Sequence, residues 1–312
     1  MRRSKNKNSR GLFSRISLAA LVFALLGSLS CEDVIEVETP SEPPRLIVNA
    51  LMRVDTDNPF IPVEVRLTLT SNFFGDIPTT SADDNILIIQ EFFDEEGELQ
   101  FARTSSLWEE PVGSGIYVPD PTFSADQRIP TTQIQADVLY TLLIDHQGRR
   151  YAAQTRYSPS VPIDNLAIGD GTLFDEEETE LIITYTDDPD RDNFYVIDFG
   201  FNEFLVSEDE FYKGQQFSFS YFYDMEFESG TELEVSILGA DRNFHNYMNQ
   251  LVVQSEDDQG PFQVPVATVR GNVFDITGLD NIDIVDNVGR PNDFPLGYFA
   301  IVQEFKATIT VP

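Results

Sequence analysis

The sequence predicts an all-β protein of two β-sandwich (Ig-like) domains, the second carrying one amphipathic helix at about 242–255. Three observations predict it. Runs rich in β-branched and aromatic residues alternate with period two. In "IPVEVRLTLT", Val63, Val65, Leu67 and Leu69 point one way, while Glu64, Arg66 and Thr68 point the other. Turn signals separate such short runs at regular intervals, as in a sandwich. One stretch, "DRNFHNYMNQLVVQSE", switches to helical spacing.

The N-terminus reads differently. Residues 2–15 carry Arg2, Arg3, Lys5, Lys7, Arg10 and Arg15 with no acid, and Ile16 to Leu29 is apolar apart from small Ser and Gly. This is the layout of a secretory signal. The run is shorter than the roughly 20 apolar residues a membrane-spanning helix needs. Gly27, Ser28, Leu29 and Ser30 lead into Cys31, and the stretch resembles the lipobox of bacterial lipoproteins, with Ser28 where Leu is usual. The resemblance implies a lipoprotein signal peptide over 1–30 and acylation of Cys31. Each buried CH₂ of the acyl chains would then contribute about 0.8 kcal/mol to anchoring. The competing readings are an uncleaved anchor helix, or cleavage elsewhere that leaves a free thiol. Cys31 is the only cysteine, so an internal disulfide is impossible. Residues 31–44 form an acidic, Pro-rich tether. Its acids Glu32, Asp33, Glu36 and Glu38 resemble the export signal that carries Bacteroidota lipoproteins to the outer face of the outer membrane; otherwise they are a solvated spacer.

Loss of residues 1–30 removes six positive charges from 20 Lys+Arg and none of the 53 Asp+Glu, leaving a net charge of −39. Lys213 and Lys306 are then the only lysines. Such a surface repels nucleic acid and anionic headgroups and attracts divalent cations. Disorder is excluded by composition, since 41% of residues are hydrophobic and 25 are Phe.

The first sandwich is placed at 45–157. "RLIVNALMRV" and "IPVEVRLTLT" open it. "NILIIQEFFDEEGELQFART" reads as a hairpin turning at Glu96-Gly97, and "VLYTLLIDHQGRRYAAQTRY" as another turning at His146-Gln147-Gly148. Pro159 and Pro162 punctuate a linker at 158–166. The second sandwich, 167–312, resumes with "ELIITYTDD", "NFYVIDFGFNEFLV", "QFSFSYFYDMEF" and "TELEVSIL". Asp241 is a good N-cap for the helix. Phe244, Tyr247, Met248, Leu251 and Val252 make one apolar stripe, which predicts that the helix covers an open end or face of the second sandwich. "LGYFAIVQEFKATITV" closes the chain as a strand pair or one bent strand.

Nucleophilic catalysis needs a base beside Ser, Cys or Thr. The two histidines, His146 at a turn and His245 beside the apolar stripe, read as structural or solvated, and no G-x-S-x-G elbow is present. The only cysteine is reserved for lipid, so a His/Cys zinc site is excluded. The abundance of carboxylates removes specificity from any glycosidase-like pair. Calcium is the better chemical candidate. "TDDPDRDNFY" sets Asp188, Asp190 and Asp192 at alternate positions, with Asn193 suited to the left-handed conformation, although Phe199 stands where a bidentate acid is expected. The bland reading is a solvated loop. "LDNIDIVDN" (279–287) is a weaker second candidate. In "QFSFSYFYDMEF", Phe217, Phe219, Tyr221 and Tyr223 share one face, as inward core or as a platform for sugars or a partner. Trp108, in the loop "LWEEPVG", reads as a packed anchor or a ligand contact.

Several stretches together resemble one family. "SGIYVP" followed by "ADVLYTLLIDHQGRRYAAQTRYSPSVPIDNL" is similar to its G-x-Y strand, Y-x-L-x-I hairpin and Pro-bounded I-D-x-L linker. "DNFYVID" resembles its N-Y-Y-x-V strand, and "RGNVFDI" and "PLGYFAI" its closing segments. The family is the Bacteroidota lipoprotein family known as domain of unknown function 4249. The resemblance implies an outer-membrane lipoprotein of β-sandwich domains, often associated with TonB-dependent transporters, with no catalytic residues to carry over. The expectation is therefore a surface-exposed, non-enzymatic accessory or binding lipoprotein. It would need no cofactor except calcium, and its partners would be the outer membrane, through its lipid anchor, and a TonB-dependent transporter. The alternative is a stand-alone glycan-binding module using Trp108 and the Phe217–Tyr223 strand. A hydrolase ranks last.

Overall fold

The computed structural model describes residues 43–71, 77–134, 137–173, 178–255, 268–279 and 294–312. The signal, Cys31, most of the tether and nearly all of the 279–287 candidate lie outside them. The described chain is mostly β. Strands β1 (Leu46–Val54), β2 (Val65–Leu69), β3 (Ile86–Phe93), β4 (Leu99–Glu109), β5 (Ile116–Pro119), β6 (Leu139–His146) and β7 (Arg149–Ser158) come from the first half. Strands β8 (Ile163–Ile168), β9 (Thr179–Thr186), β10 (Phe194–Asp198), β11 (Phe204–Glu208), β12 (Gln216–Tyr223) and β13 (Glu232–Ala240) follow. Helix α1 (Arg242–Ser255), β14 (Val273–Asp275) and β15 (Leu296–Thr310) complete it.

Alternation sets which face is buried. In β1 every second residue from Leu46 to Val54 lies inside, and Val65 and Leu67 of β2 are fully buried beside them. Both expected hairpins form. Gly97 takes a φ of +83° at the β3–β4 turn. Gln147 and Gly148, at +52° and +72°, match the twist of β6 and β7, which a two-residue turn with both φ positive requires. Strand β8 begins inside the stretch expected as a linker, pairing with β9.

Twelve strands join in the order β11-β10-β13-β15-β1-β2-β5-β4-β3-β6-β7-β14, and β12-β9-β8 form a second sheet. The closing segment is one strand of 15 residues rather than a pair. It runs parallel to β1 over Leu296–Gln303, touches β7 at Ile301 and Val302, and runs antiparallel to β13 over Glu304–Thr310. Three apolar clusters result. One gathers the first-half strands with Val273, Phe299 and Ile301; a second gathers β9, β10, β12 and β13 with Val311. The third lies under α1, between Phe244 and residues such as Val196, Leu238 and Ala300. Among the described residues no helix is long and apolar enough to cross a membrane.

Candidate functional site

Helix α1 starts where the sequence places it. The Asp241 carboxylate accepts the Phe244 backbone N–H at 2.7 Å, and its carbonyl accepts that of His245. The stripe divides. Phe244 is buried and Tyr247 and Met248 are half-buried against the sheet; further along, Val252 is half-buried and Leu251 is exposed.

Opposite the helix, β7, β14 and β15 meet imperfectly, and one side chain fills the seam. The Asn272 carboxamide donates to the carbonyls of Gln154 (3.0 Å) and Phe299 (2.8 Å) and accepts the Phe299 N–H at 2.8 Å. The backbones approach closely because two residues lack Cβ atoms. A Cβ on Gly271 would lie 1.6 Å from the Gly297 carbonyl oxygen. One on Gly297, itself at φ +96°, would lie 1.9 Å from that of Val48.

Between helix and seam lies a cleft of about 410 Å³. Ala152, Ala153 and Gly271 contribute small residues to its lining, and Phe274, Tyr298 and Arg270 contribute aromatic and cationic ones. The helix contributes Asn243, Asn246, Tyr247 and Gln250, a contiguous arc beside the apolar stripe. Tyr247 and Tyr298 lie 4.8 Å apart, and burial raises both phenol pKa values, so neither is a ready base. Arg270 stacks on Phe294 at 3.7 Å, and Arg45 covers the same ring at 4.5 Å. Among the described residues, none that lines the cleft is a carboxylate, His, Cys, Ser, Thr or Lys. Such a lining offers hydrogen bonds and aromatic surface without a nucleophile or a general base.

The residues singled out in the sequence lie elsewhere. In the acidic loop, Asp188 pairs with Arg191 at 3.4 Å and Asp192 with Lys213 at 2.5 Å. Asn193 is buried and is not left-handed. Its amide nitrogen holds the Asp188 carbonyl at 3.0 Å, its side-chain oxygen accepts from Arg191, and its backbone N–H donates to Asp209 at 3.0 Å. The neighbouring Asp187 is buried, accepting from the Tyr195 hydroxyl at 2.5 Å and the Gly214 N–H at 2.7 Å. Cations of the chain itself thus engage the loop's oxygens, and among the described residues no three acidic, His or Cys side chains form a metal-holding group.

Phe217, Phe219 and Tyr221 are half-buried and Tyr223 fully buried, all packed into the second cluster. Phe217 stacks on Tyr212 at 4.3 Å and Tyr221 on Phe199 at 3.6 Å. Trp108 is in β4, paired with Val118, and not in a loop. Its half-buried indole donates to Glu110 at 3.3 Å. His146 is buried against the Thr80 hydroxyl at 2.8 Å; burial lowers its pKa, opposed by Asp83. His245 packs on Phe194. The cleft residues were missed in the sequence. The available signal was uncharged carboxamides at helix positions i, i+3 and i+7 in a chain crowded with acids.

The family model described as Domain of unknown function (DUF4249) matches residues 32–279. The chain belongs to this family. A comparison with curated proteins finds no match. Among solved structures, the crystal structure of red sea bream transglutaminase matches at 9% identity over 65% of this chain and 29% of that one. Its TM-score of 0.20 carries no argument about fold or activity. In this DUF4249 chain the resembling segments have structural roles. The Gly115 carbonyl accepts from Leu67 at 2.8 Å, the Tyr117 hydroxyl accepts the Ala82 N–H at 2.7 Å, and Asn272 closes the seam.

Proposed function

We propose that this protein is a lipid-anchored, surface-exposed outer-membrane component that binds its ligand without transforming it and acts beside a TonB-dependent nutrient transporter. The observation that carries the binding reading is the cleft under α1, lined among the described residues by carboxamides and aromatic rings, with no carboxylate, His, Cys or Lys. Cys31, after its basic and apolar run, supplies the anchor, and the acids that follow supply the surface address. Arg45, at the start of the folded chain, shares the Phe294 ring with Arg270 of the cleft. The cleft therefore lies beside the first residues of the described chain. In the finer reading of the fold, the first two apolar clusters are the interiors of two Ig-like sandwiches. The stand-alone glycan module built on Trp108 and β12 is disfavoured, because the β12 aromatics pack into the second cluster.

Purification of the tagged protein from gently solubilised outer membranes tests this reading. The expected result is a transporter recovered in near-equal amount, with Cys31→Ser releasing the protein from the membrane. Recovery of the lipoprotein alone, under conditions that preserve a control transporter complex, would overturn the accessory role.

A further inference from the structure

We infer that the α1 cleft takes a neutral, hydroxyl-rich ligand of one or two rings, a saccharide in chemical class. This rests on the reading of the cleft as a binding site and adds what binds there.

The argument begins with donor chemistry. Among the described residues Asn243, Asn246 and Gln250 make no side-chain hydrogen bond to the protein, and all three are exposed where they line the cleft. A carboxamide presents two donors and an acceptor side by side. That matches a hydroxyl, which also donates and accepts. A cation wants acceptors alone and an anion donors alone. In a chain with 53 acids, a cleft with none among its described lining residues is a poor cation site. The net charge of −39 left after loss of residues 1–30 opposes anions, and Arg270, the one cation among the described lining residues, is stacked on Phe294.

Shape narrows the class further. The lining includes the small residues Ala152, Ala153 and Gly271, while Phe274, Tyr247 and Tyr298 bring flat apolar surface. Flat apolar rings beside carboxamides complement a sugar ring, with its C–H face and hydroxyl edge. The volume of about 410 Å³ falls in the lower part of the range for small-molecule pockets.

Calorimetric titration of the detergent-solubilised full-length lipoprotein tests the inference. The probes are neutral mono-, di- and trisaccharides, the corresponding uronic acids, and uncharged tripeptides. The expected result is binding of a neutral saccharide, weakened at least tenfold by Asn246→Asp and by Gln250→Glu. These changes keep shape but introduce charge and remove donors. Trp108→Ala should leave the affinity unchanged, and melting curves establish that each variant is folded. Preference for uronic acids or tripeptides, absence of neutral-saccharide binding, or binding indifferent to both cleft variants would overturn the inference. Transporter co-purification reports on the accessory role separately, so the two can fail independently.

Discussion

Two buried polar side chains show how environment, rather than residue type, sets behaviour. Among the described residues the buried Tyr140 hydroxyl has no hydrogen-bond partner, and burial pushes its pKa up to about 12. It lies across the ladder from Gln90, whose side-chain oxygen is likewise unpartnered. A buried donor left unmade destabilises the fold, so Tyr140→Phe should leave stability unchanged or raise it by about 1 kcal/mol in urea unfolding. A drop of comparable size would show that the hydroxyl has a partner in solution. His146 gives a pH signature. Burial lowers its folded pKa below the unfolded value of about 6.5, so the unfolded chain takes up the proton first. Its contribution is complete above that value and is lost as pH falls through the folded pKa. Melting temperature against pH should therefore decline more steeply below about 6.5 for the native protein than for His146→Gln. Parallel profiles would refute the assignment.

At the scale of elements, α1 is tied to the molecule by its Asp241 cap, its apolar stripe, and Arg242 and His245, which meet Glu208 and Phe194. Asp241→Ala removes the acceptor for the Phe244 N–H and should cost about 1 kcal/mol. Because the helix forms one wall of the cleft, the same variant should exchange its α1 amides faster and weaken ligand binding. Unchanged amide exchange would mean that the remaining contacts hold the helix. The acidic loop is likewise explained as an element. Asp187 and Asn193 face inward and tie it to Gly214 and Asp209, while Asp188 and Asp192 meet Arg191 and Lys213.

Across the whole molecule, Arg53 of β1 connects the two halves. It donates to Glu304 at 2.9 and 2.5 Å and to Asp198 at 2.6 Å. The Glu304 side chain is 6% exposed and Asp198's 14%, so removing the guanidinium strands two carboxylates, with Lys306 at 3.6 Å from Glu304 the remaining cation near them. Arg53→Ala should cost about 2 kcal/mol, and Arg53→Met combined with Glu304→Gln should cost less than the sum of the single changes. Since β15 contributes to all three apolar clusters or packs against them, native protein and variant should each unfold in one transition by circular dichroism and tyrosine fluorescence. Two separated transitions would show that the halves fold independently.

Local patterns in the chain were sufficient for its all-β character, the two hairpins and the capped helix at its observed limits, and for the family. Period-two alternation, turn residues with positive φ, a cap followed by an apolar stripe and ordered motifs all act over a few neighbouring residues. Sequence placed Phe217, Phe219, Tyr221 and Tyr223 on one strand face, as core or as platform, and the structure packs that face into the second cluster. Tertiary structure alone decided that β15 runs unbroken beside both halves, that Trp108 belongs to a ladder, and that Asn193 is a buried staple. Each depends on what a residue meets far along the chain. The cleft is the clearest case. Asn243, Asn246 and Gln250 read as a solvated helix face until Asn272 and the paired glycines bring β14 and β15 together opposite them, because a concave surface arises only where distant segments fail to close.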